Sequence, residues 1–102
     1  MGDDGHTASL FPGMAALDEA FADDGPYRAV DADGCPGAQA WPQRITLVPA
    51  AFARIASIFL MIRGESKRSL LRQALADGDA KRWPVLAAVH ATATPFAVYW
   101  AP

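Results

Sequence analysis

Apolar residues early in the chain recur at the spacing of a helix. Leu17, Ala20 and Phe21 fall on one helical face, so a short amphipathic helix is predicted over about 14–22. The later stretch 31–42 contains several glycines and prolines and shows no periodicity. It is therefore predicted to be a loop, of a length that is found both in functional binding loops and in disordered connectors.

Short apolar segments rich in β-branched and aromatic residues follow the pattern of strands. The predicted strands are 27–30, 44–48, 57–62, 85–90 and 96–100. Segment 57–62 is apolar on both faces, which is typical of an interior strand of a parallel sheet covered by helices on each side. Pro49 fits the first turn of one intervening helix. Ser66 is the predicted cap of a second helix over 67–75, which Gly78 stops. Strands that alternate with helices predict an α/β fold.

Composition and charge place the chain among ordinary globular proteins. It has 102 residues, 52% of them hydrophobic, with nine basic against eleven acidic side chains and a net charge of −2. This length predicts a single domain. Because no face is forced to be basic, we expect no nucleic-acid partner. The longest strongly apolar run, 55–62, is too short to span a bilayer, so no membrane partner is expected either.

The cysteine content and the N-terminus favour the cytoplasm. Cys35 is the only cysteine, which excludes an intramolecular disulfide and any multi-cysteine metal site. Asp3 and Asp4 stand where a signal peptide would have its basic segment. The predicted location is therefore a reducing, cytoplasmic one.

The candidate chemistry lies in the glycine-flanked turn that contains His6. Gly2 and Gly5 flank Asp3 and Asp4, and glycine allows both unusual backbone angles and the close approach of a ligand. Imidazole is mostly neutral at cytoplasmic pH and can accept a proton from water, so His6 is a candidate general base. An isolated histidine in a turn can equally be a solvated or hydrogen-bonded residue.

The polar residues close to His6 in sequence can each be assigned more than one role. Asp4 either orients the imidazole, as a carboxylate does in hydrolytic triads, or caps a short helix that begins near Gly5. Thr7 and Ser9 are better explained as capping or packing hydroxyls than as nucleophiles, because no base on a rigid neighbouring element is placed to activate them. His90 lies in a predicted strand beside apolar residues, and we expect it to be structural.

Three motifs in this chain resemble the 6-phosphogluconolactonases, which belong to a wider α/β group that includes the glucosamine-6-phosphate deaminases. Residues 2–12 read Gly-Asp-Asp-Gly-His-Thr-Ala-Ser-Leu-Phe-Pro, and this is similar nearly letter for letter to the family's Gly-x-Asp-Gly-His-Thr-Ala-Ser-Leu-Phe-Pro signature. Residues 42–47 resemble its Pro-x-Arg-Ile-Thr-Leu motif, and residues 64–67 its Gly-x-x-Lys motif. The order and spacing of the motifs also fit, so the resemblance covers the whole chain.

The resemblance implies a partial fold. Proteins of this family are longer, and their glycine-rich phosphate loop and acid-arginine segment have no counterpart here. Residues 1–102 therefore look like a single partial domain, the C-terminal half of a doubly wound, mostly parallel sheet with flanking helices. The loop before Arg44 also departs from the family, because Gln39 replaces a lysine. A cation that would help to hold the substrate phosphate is thus missing.

The reaction that the resemblance implies is hydrolysis of 6-phospho-D-glucono-1,5-lactone to 6-phosphogluconate, in the oxidative pentose phosphate pathway, with no metal and no redox cofactor. His6 is the implied base, with Asp4 as its catalytic partner. The residues expected to contact the sugar-phosphate lactone or its phosphate are Gly5, Thr7, Arg44 and Lys67. For Lys67 the competing reading is a solvated surface lysine, and for Arg44 an ordinary ion-pair partner.

Two other functions compete with the lactonase. The chain can be a non-catalytic fragment that needs a partner surface, because half of a doubly wound sheet leaves a strand edge and apolar faces exposed. A homodimer through that edge or face is one way to cover them. The third possibility is a sugar-phosphate isomerase or deaminase, although the sequence of residues 7–12 favours the lactonase.

Overall fold

Helices and strands alternate along the chain in the computed structural model, which describes residues 1–91 and 93–102. The elements are α1 (Leu17–Ala22), β1 (Tyr27–Asp31), a 3₁₀ turn (Pro36–Ala38), β2 (Gln43–Leu47), α2 (Pro49–Phe52), β3 (Ile58–Arg63), α3 (Glu65–Asp77), α4 (Leu86–Val89) and β4 (Phe96–Ala101). The predicted α/β class is confirmed. None of the helices in these two ranges is both long enough and apolar enough to cross a membrane.

The strands form two separate pairs. β3 and β4 are parallel, with Ile58 opposite Phe96 and Arg63 opposite Ala101, and helices α3 and α4 lie in the connection between them. β1 and β2 are antiparallel, with Tyr27 opposite Leu47. The predicted parallel sheet with helices is therefore present, and the antiparallel pair accompanies it because the loop 32–42 returns the chain directly beside β1.

One face of β3 is covered and the other is bare. Leu60 and Ile62 are buried, whereas Phe59 and Met61 on the opposite face are 61% and 77% exposed. The expectation that helices cover both faces of this strand is wrong for the described residues. An apolar strand thus stays partly in solvent.

The helix boundaries differ from the sequence-based prediction at their starts. α1 begins only at Leu17, because the residues before it form turns. α3 begins at Glu65 with Gly64 at the N-cap and no side-chain cap, so the prediction that Ser66 caps this helix is wrong. Its end is confirmed, since Gly78 takes a left-handed conformation with φ 77° and its N–H bonds the Ala74 carbonyl.

The predicted strand 85–90 is wrong, since this segment contains helix α4. His90 N–H donates to the Leu86 carbonyl at 2.8 Å, which is a helical hydrogen bond. Residues 84–88 are all buried, and a short apolar run of this kind has no periodicity by which a strand can be told from a buried helix. His90 is exposed at the end of the helix, not in an edge strand.

The core has two parts. One is built around Leu10, Phe11 and Phe52, and the other around Leu86 together with residues from β3 and α3. A buried hydrogen bond ties the N-terminal motif to β2, because Ser9 N–H donates to the Thr46 hydroxyl oxygen at 3.0 Å. The segment that carries His6 is thereby fixed to both the core and a strand.

Burial on α3 predicts a contrast between two leucines of the same helix. Leu71 is 6% exposed and Leu75 is 50% exposed. We expect Leu71→Ala to lower the free energy of unfolding by about 2–5 kcal/mol through lost burial and a cavity. The matched control Leu75→Ala has the same change in helix propensity and should cost less than about 1 kcal/mol. Urea denaturation monitored by circular dichroism measures both, and equal losses would contradict this packing.

Candidate active site

His6 and Asp4 form a hydrogen-bonded pair in the N-terminal turn. The Asp4 Oδ1 atom accepts from the His6 backbone N–H at 3.0 Å and lies 2.6 Å from His6 Nδ1. An ionised carboxylate only accepts, so this contact places a proton on Nδ1, and in the neutral ring Nε2 then keeps the lone pair. No helix begins near Gly5, so Asp4 caps none there; the geometry is that of the orienting alternative.

The pair is enclosed on two sides by glycines. A Cβ atom on Gly2 would lie 2.2 Å from Nδ1 and Cε1 of His6, and one on Gly37 would lie 2.6 Å from Asp4 Oδ2. Both distances are far inside van der Waals contact. Neither position can therefore carry a side chain while the His6 and Asp4 side chains keep these positions.

Phe11 supports the imidazole from the core side. The Phe11 ring is 1% exposed, and its centroid lies 4.5 Å from that of His6 with an interplanar angle of 44°. This tilted contact is favourable for aromatic rings. His6 is thus held by a hydrogen bond on one side and a buried ring on another, while a quarter of its side chain (25%) stays exposed.

A cleft of about 570 Å³ opens beside the pair. Its walls come from three parts of the chain: the N-terminal turn, the loop with the 3₁₀ turn, and the start of α3. The lining residues are Gly2, Asp3, Asp4, His6, Pro12, Pro36, Gly37, Gln39 and Lys67. This volume is typical of pockets that bind small molecules.

Lys67 brings a positive charge to the cleft. It lies in the first turn of α3, where the helix dipole adds to its charge. Its Nζ donates to the Met1 carbonyl at 3.0 Å and lies 3.5 Å from the Asp3 carboxylate. Because Asp3 is 91% exposed, this ion pair is screened by water and easily broken.

The remaining cleft residues give it a negative balance. Asp3 and Asp4 face one lysine, and Gln39 adds no charge. Gln39 has φ 53°, so the loop turns sharply at this exposed residue. Of the lining residues that the structure describes, Lys67 is the one with a permanent positive charge.

Arg44 lies behind the loop, not in the cleft. Its Nη2 donates to the Ala38 carbonyl at 2.9 Å, its Nε donates to the Trp41 carbonyl, and its guanidinium stacks 5.6 Å from the centroid of the Phe11 ring. These contacts brace the loop that forms the cleft wall. None of these contacts is an ion pair, and the phosphate contact of Arg44 stays a prediction.

Gly5 and Thr7 are not among the residues that line the cleft. Gly5 is buried with φ 82°, and a Cβ atom there would lie 2.9 Å from the Trp83 ring. Its carbonyl accepts from the Val85 N–H at 2.9 Å. Thr7 forms a turn in which its carbonyl accepts from Leu10 N–H at 3.0 Å. Of the six residues predicted for the site, His6, Asp4 and Lys67 are brought together by the cleft.

Cys35 lies within the same loop, directly before the 3₁₀ turn, and its thiol is weakly acidic. Burial, together with the nearby Asp4 and Asp33 carboxylates, raises its pKa. A raised pKa reduces the reactive thiolate fraction. Burial and then Lys67 lower the pKa of the Met1 amino group.

The sequence did not point to the loop residues Pro36 and Gly37 as a wall of this cleft. The available signal was the predicted loop 31–42 itself, whose length is typical of binding loops. The sequence does not show that this loop packs against Asp4. That contact depends on Phe11 and Arg44, which pack beneath the loop in the folded chain.

Comparisons with known proteins agree on one family. The family model described as glucosamine-6-phosphate isomerases/6-phosphogluconolactonase matches residues 1–100. A 6-phosphogluconolactonase of Xylella fastidiosa (strain Temecula1) is 46% identical over 100 residues, which are 98% of this chain and 42% of that protein. The 6-phosphogluconolactonase of Pseudomonas aeruginosa is 41% identical over 104 residues, with 100% and 40% coverage.

The fold comparison gives the same result. The crystal structure of a 6-phosphogluconolactonase from Shewanella baltica OS155 superposes with a TM-score of 0.86 at 35% identity. It covers 100% of this chain and 42% of that chain. The chain therefore spans less than half the length of the relatives that it matches.

The contact between Asp4 and His6 predicts the tautomer of the imidazole. In the unaltered chain the neutral ring should carry its proton on Nδ1. Asp4→Ala removes the acceptor and should return the ring to the Nε2-protonated form that free histidine favours. Asp3→Ala removes the same charge one residue away and should leave the tautomer unchanged. Long-range ¹⁵N NMR correlations of the His6 ring read this directly, and an Nε2-protonated ring in the unaltered chain would contradict the geometry.

Proposed function

Because the chain belongs to the family of glucosamine-6-phosphate isomerases and 6-phosphogluconolactonases, we propose that it contributes the general base to the hydrolysis of 6-phospho-D-glucono-1,5-lactone. The observation that carries this proposal is the Asp4 carboxylate on His6 Nδ1 at the rim of an open cleft. The relatives named 6-phosphogluconolactonase support the choice of substrate. The product is 6-phosphogluconate.

The proposed chemistry follows from the lone pair on Nε2. A lactone carbonyl is already electrophilic, so the main requirement is a base that takes a proton from water as its oxygen attacks C1. His6 accepts that proton, and Asp4 stabilises the imidazolium that forms. When the tetrahedral intermediate collapses, the bond between C1 and the ring oxygen breaks, and the ring oxygen takes the proton back from His6. The new carboxylic acid then loses its own proton to solvent.

Lys67 is the proposed contact for the substrate phosphate. An ammonium at the first turn of a helix attracts a phosphate both by its charge and by the helix dipole. To bind the phosphate, Lys67 has to give up its ion pair with the exposed Asp3 carboxylate. That ion pair is longer than the hydrogen bond from Lys67 to the Met1 carbonyl and is screened by water. The roles of Gly5, Thr7 and Arg44 in substrate binding stay predictions, and Arg44 supports the cleft by holding the loop.

The proposed placement of the chain in its family is the C-terminal part of a longer fold, with residues 1–102 as one partial domain. We further propose that the protein works in the cytoplasm, where a lone thiol such as Cys35 stays reduced. A sugar-phosphate isomerase or deaminase is disfavoured because the matched relatives carry the lactonase name. Turnover of glucosamine 6-phosphate without turnover of the lactone would reverse this choice.

The two histidines give a matched test of the base. We expect the chain to hydrolyse the lactone faster than the spontaneous reaction, and His6→Ala to lower that excess rate by about 10²-fold or more. His90→Ala removes the other, exposed histidine outside the cleft and should leave the rate unchanged. The assay follows acid release and subtracts spontaneous hydrolysis. No excess rate, or equal rates in His6→Ala and the unaltered chain, would exclude this catalytic role.

Restoring a lysine at position 39, where the family has one, should increase the affinity of the cleft for a phosphate. Gln39→Lys adds a charge to the cleft wall and should lower the dissociation constant for 6-phosphogluconate by about two- to fivefold, the modest worth of an exposed ion pair. The gain should shrink as salt is added. Gln43→Lys adds the same charge on β2, outside the cleft lining, and should have no such effect. Titration calorimetry measures both, and equal affinities would exclude a phosphate near residue 39.

A further inference from the structure

The Arg44 guanidinium contacts two backbone carbonyls and one aromatic ring. Its Nη2 donates to the Ala38 carbonyl at 2.9 Å, and its Nε donates to the Trp41 carbonyl. The central guanidinium carbon lies 5.6 Å from the centroid of the Phe11 ring, which is within the range of a cation–π contact. One half-buried side chain therefore connects the loop to the aromatic residue beneath it.

These three contacts suit the shape of a guanidinium. Its N–H donors point in fixed directions within one plane, so two different nitrogens can each reach a loop carbonyl while the flat face stays available to a ring. A lysine ammonium carries the same charge on a single flexible atom. It cannot make all three contacts at once, so the contacts of Arg44 depend on its shape as well as on its charge.

The loop that Arg44 holds brings Gly37 against the carboxylate–imidazole pair. A Cβ atom on Gly37 would lie 2.6 Å from Asp4 Oδ2 and 3.2 Å from His6 Nδ1. The next residue, Ala38, is 1% exposed, and its carbonyl is the one that accepts from Arg44 Nη2. A shift of this carbonyl would therefore move the backbone that limits where the side chains of Asp4 and His6 can turn.

Phe11 is the second connection between Arg44 and His6. Its ring is 1% exposed, and its centroid lies 4.5 Å from that of the imidazole. A Cβ atom on Gly37 would lie 3.1 Å from Phe11 Cδ1. The ring thus has the imidazole, the guanidinium and the loop backbone around it. Loss of the guanidinium removes one of these supports, so that the ring and the imidazole are both held less firmly.

The influence of Arg44 on the base is indirect. Arg44 is not among the residues that line the cleft, and its contacts lead to His6 and Asp4 only through Phe11 and the loop. A general base accepts a proton efficiently only when its lone pair points at the attacking water, and small misplacements are costly. A side chain that fixes the orientation of the imidazole therefore affects the rate without touching the substrate.

We propose that Arg44 is a positioning residue that fixes the orientation of the His6–Asp4 pair through the loop and through Phe11. This inference rests on the proposed function, because it concerns the orientation of the proposed base. The competing role is the phosphate contact predicted from sequence. The two roles differ in the kinetic constant that they change: a positioning residue acts mainly on kcat, whereas a contact to the phosphate acts mainly on KM.

Two arginines of the antiparallel pair β1–β2 give a matched test. The test variant is Arg44→Lys, which keeps the charge and loses the planar donor set. The control is Arg28→Lys, because Arg28 is likewise half-buried and donates to two carboxylates outside the loop and the cleft. Steady-state kinetics of lactone hydrolysis, corrected for the spontaneous reaction, gives kcat and KM. NMR of the same samples gives the nuclear Overhauser effect between the ring protons of His6 and Phe11.

We expect Arg44→Lys to lower kcat by about tenfold, to leave KM within about twofold, and to weaken the Overhauser effect between the two rings. Arg28→Lys should leave all three unchanged, even where both variants unfold at lower urea concentration. Circular dichroism checks that the variants are folded. A merely structural role would lower stability in both variants and would change neither the ring contact nor kcat of the folded protein.

A measurement on the unaltered chain needs no variant at all. Because Arg44 Nε–H donates to the Trp41 carbonyl, its proton should exchange with water more slowly than the Nε proton of Arg72, which is exposed. Hydrogen exchange followed in ¹H–¹⁵N spectra compares the two directly. This comparison decides whether the guanidinium is held, even in the case that Arg44→Lys does not fold.

Three results would overturn the proposal. In the first, Arg44→Lys keeps both kcat and the ring contact of the unaltered chain. In the second, it raises KM with kcat unchanged, which would assign Arg44 to the phosphate. In the third, the Nε protons of Arg44 and Arg72 exchange equally fast. Absence of lactone hydrolysis by the unaltered chain would instead end the proposed function, and the two NMR measurements would still decide whether Arg44 holds His6.

Discussion

The position of His6 depends on the burial of two residues that follow it in the same motif. Leu10 and Phe11 are 0% and 1% exposed, and each carries enough apolar surface to stabilise the fold by about 1.5–3 kcal/mol when buried. They hold a segment without regular secondary structure in one place, and the hydrogen bond from Ser9 to Thr46 fixes its direction. The imidazole can therefore stay at the surface and still be fixed in orientation, which a general base requires.

The charges in the cleft suit the proposed proton transfer better than they suit the binding of a phosphate. The proposed base His6 and its partner Asp4 are both within this chain, at hydrogen-bonding distance. The proposed phosphate contact is Lys67, which shares the cleft with the Asp3 and Asp4 carboxylates. A doubly charged phosphate needs more positive charge than that balance offers. The cleft is therefore better supplied for proton transfer than for binding a phosphate.

Sequence patterns predicted correctly those elements that depend on residues close together in the chain. The Gly78 stop of α3 and the strand at 96–100 were correct, because a left-handed glycine and a run of aromatic residues act within a few positions. The segment 85–90 was not, since total burial removes the periodicity that separates helix from strand. The motif residues His6, Asp4 and Lys67 were named from sequence, and the cleft brings them together, while their roles stay predictions. The position of Arg44 could not be predicted from sequence, because its guanidinium donates to a backbone carbonyl that is in reach only when the loop is folded.

The close approach of Gly37 to Asp4 also sets limits for anyone who redesigns this chain. The exposed positions of the loop, such as Asp33 and Ala40, offer attachment points for a dye or a crosslinker beside the cleft. Position 37 offers none, since even one methyl group there would reach within 2.6 Å of the carboxylate that orients His6. A reporter placed on either side of that glycine would sense what enters the cleft, whereas one placed on it would disturb the pair it is meant to observe.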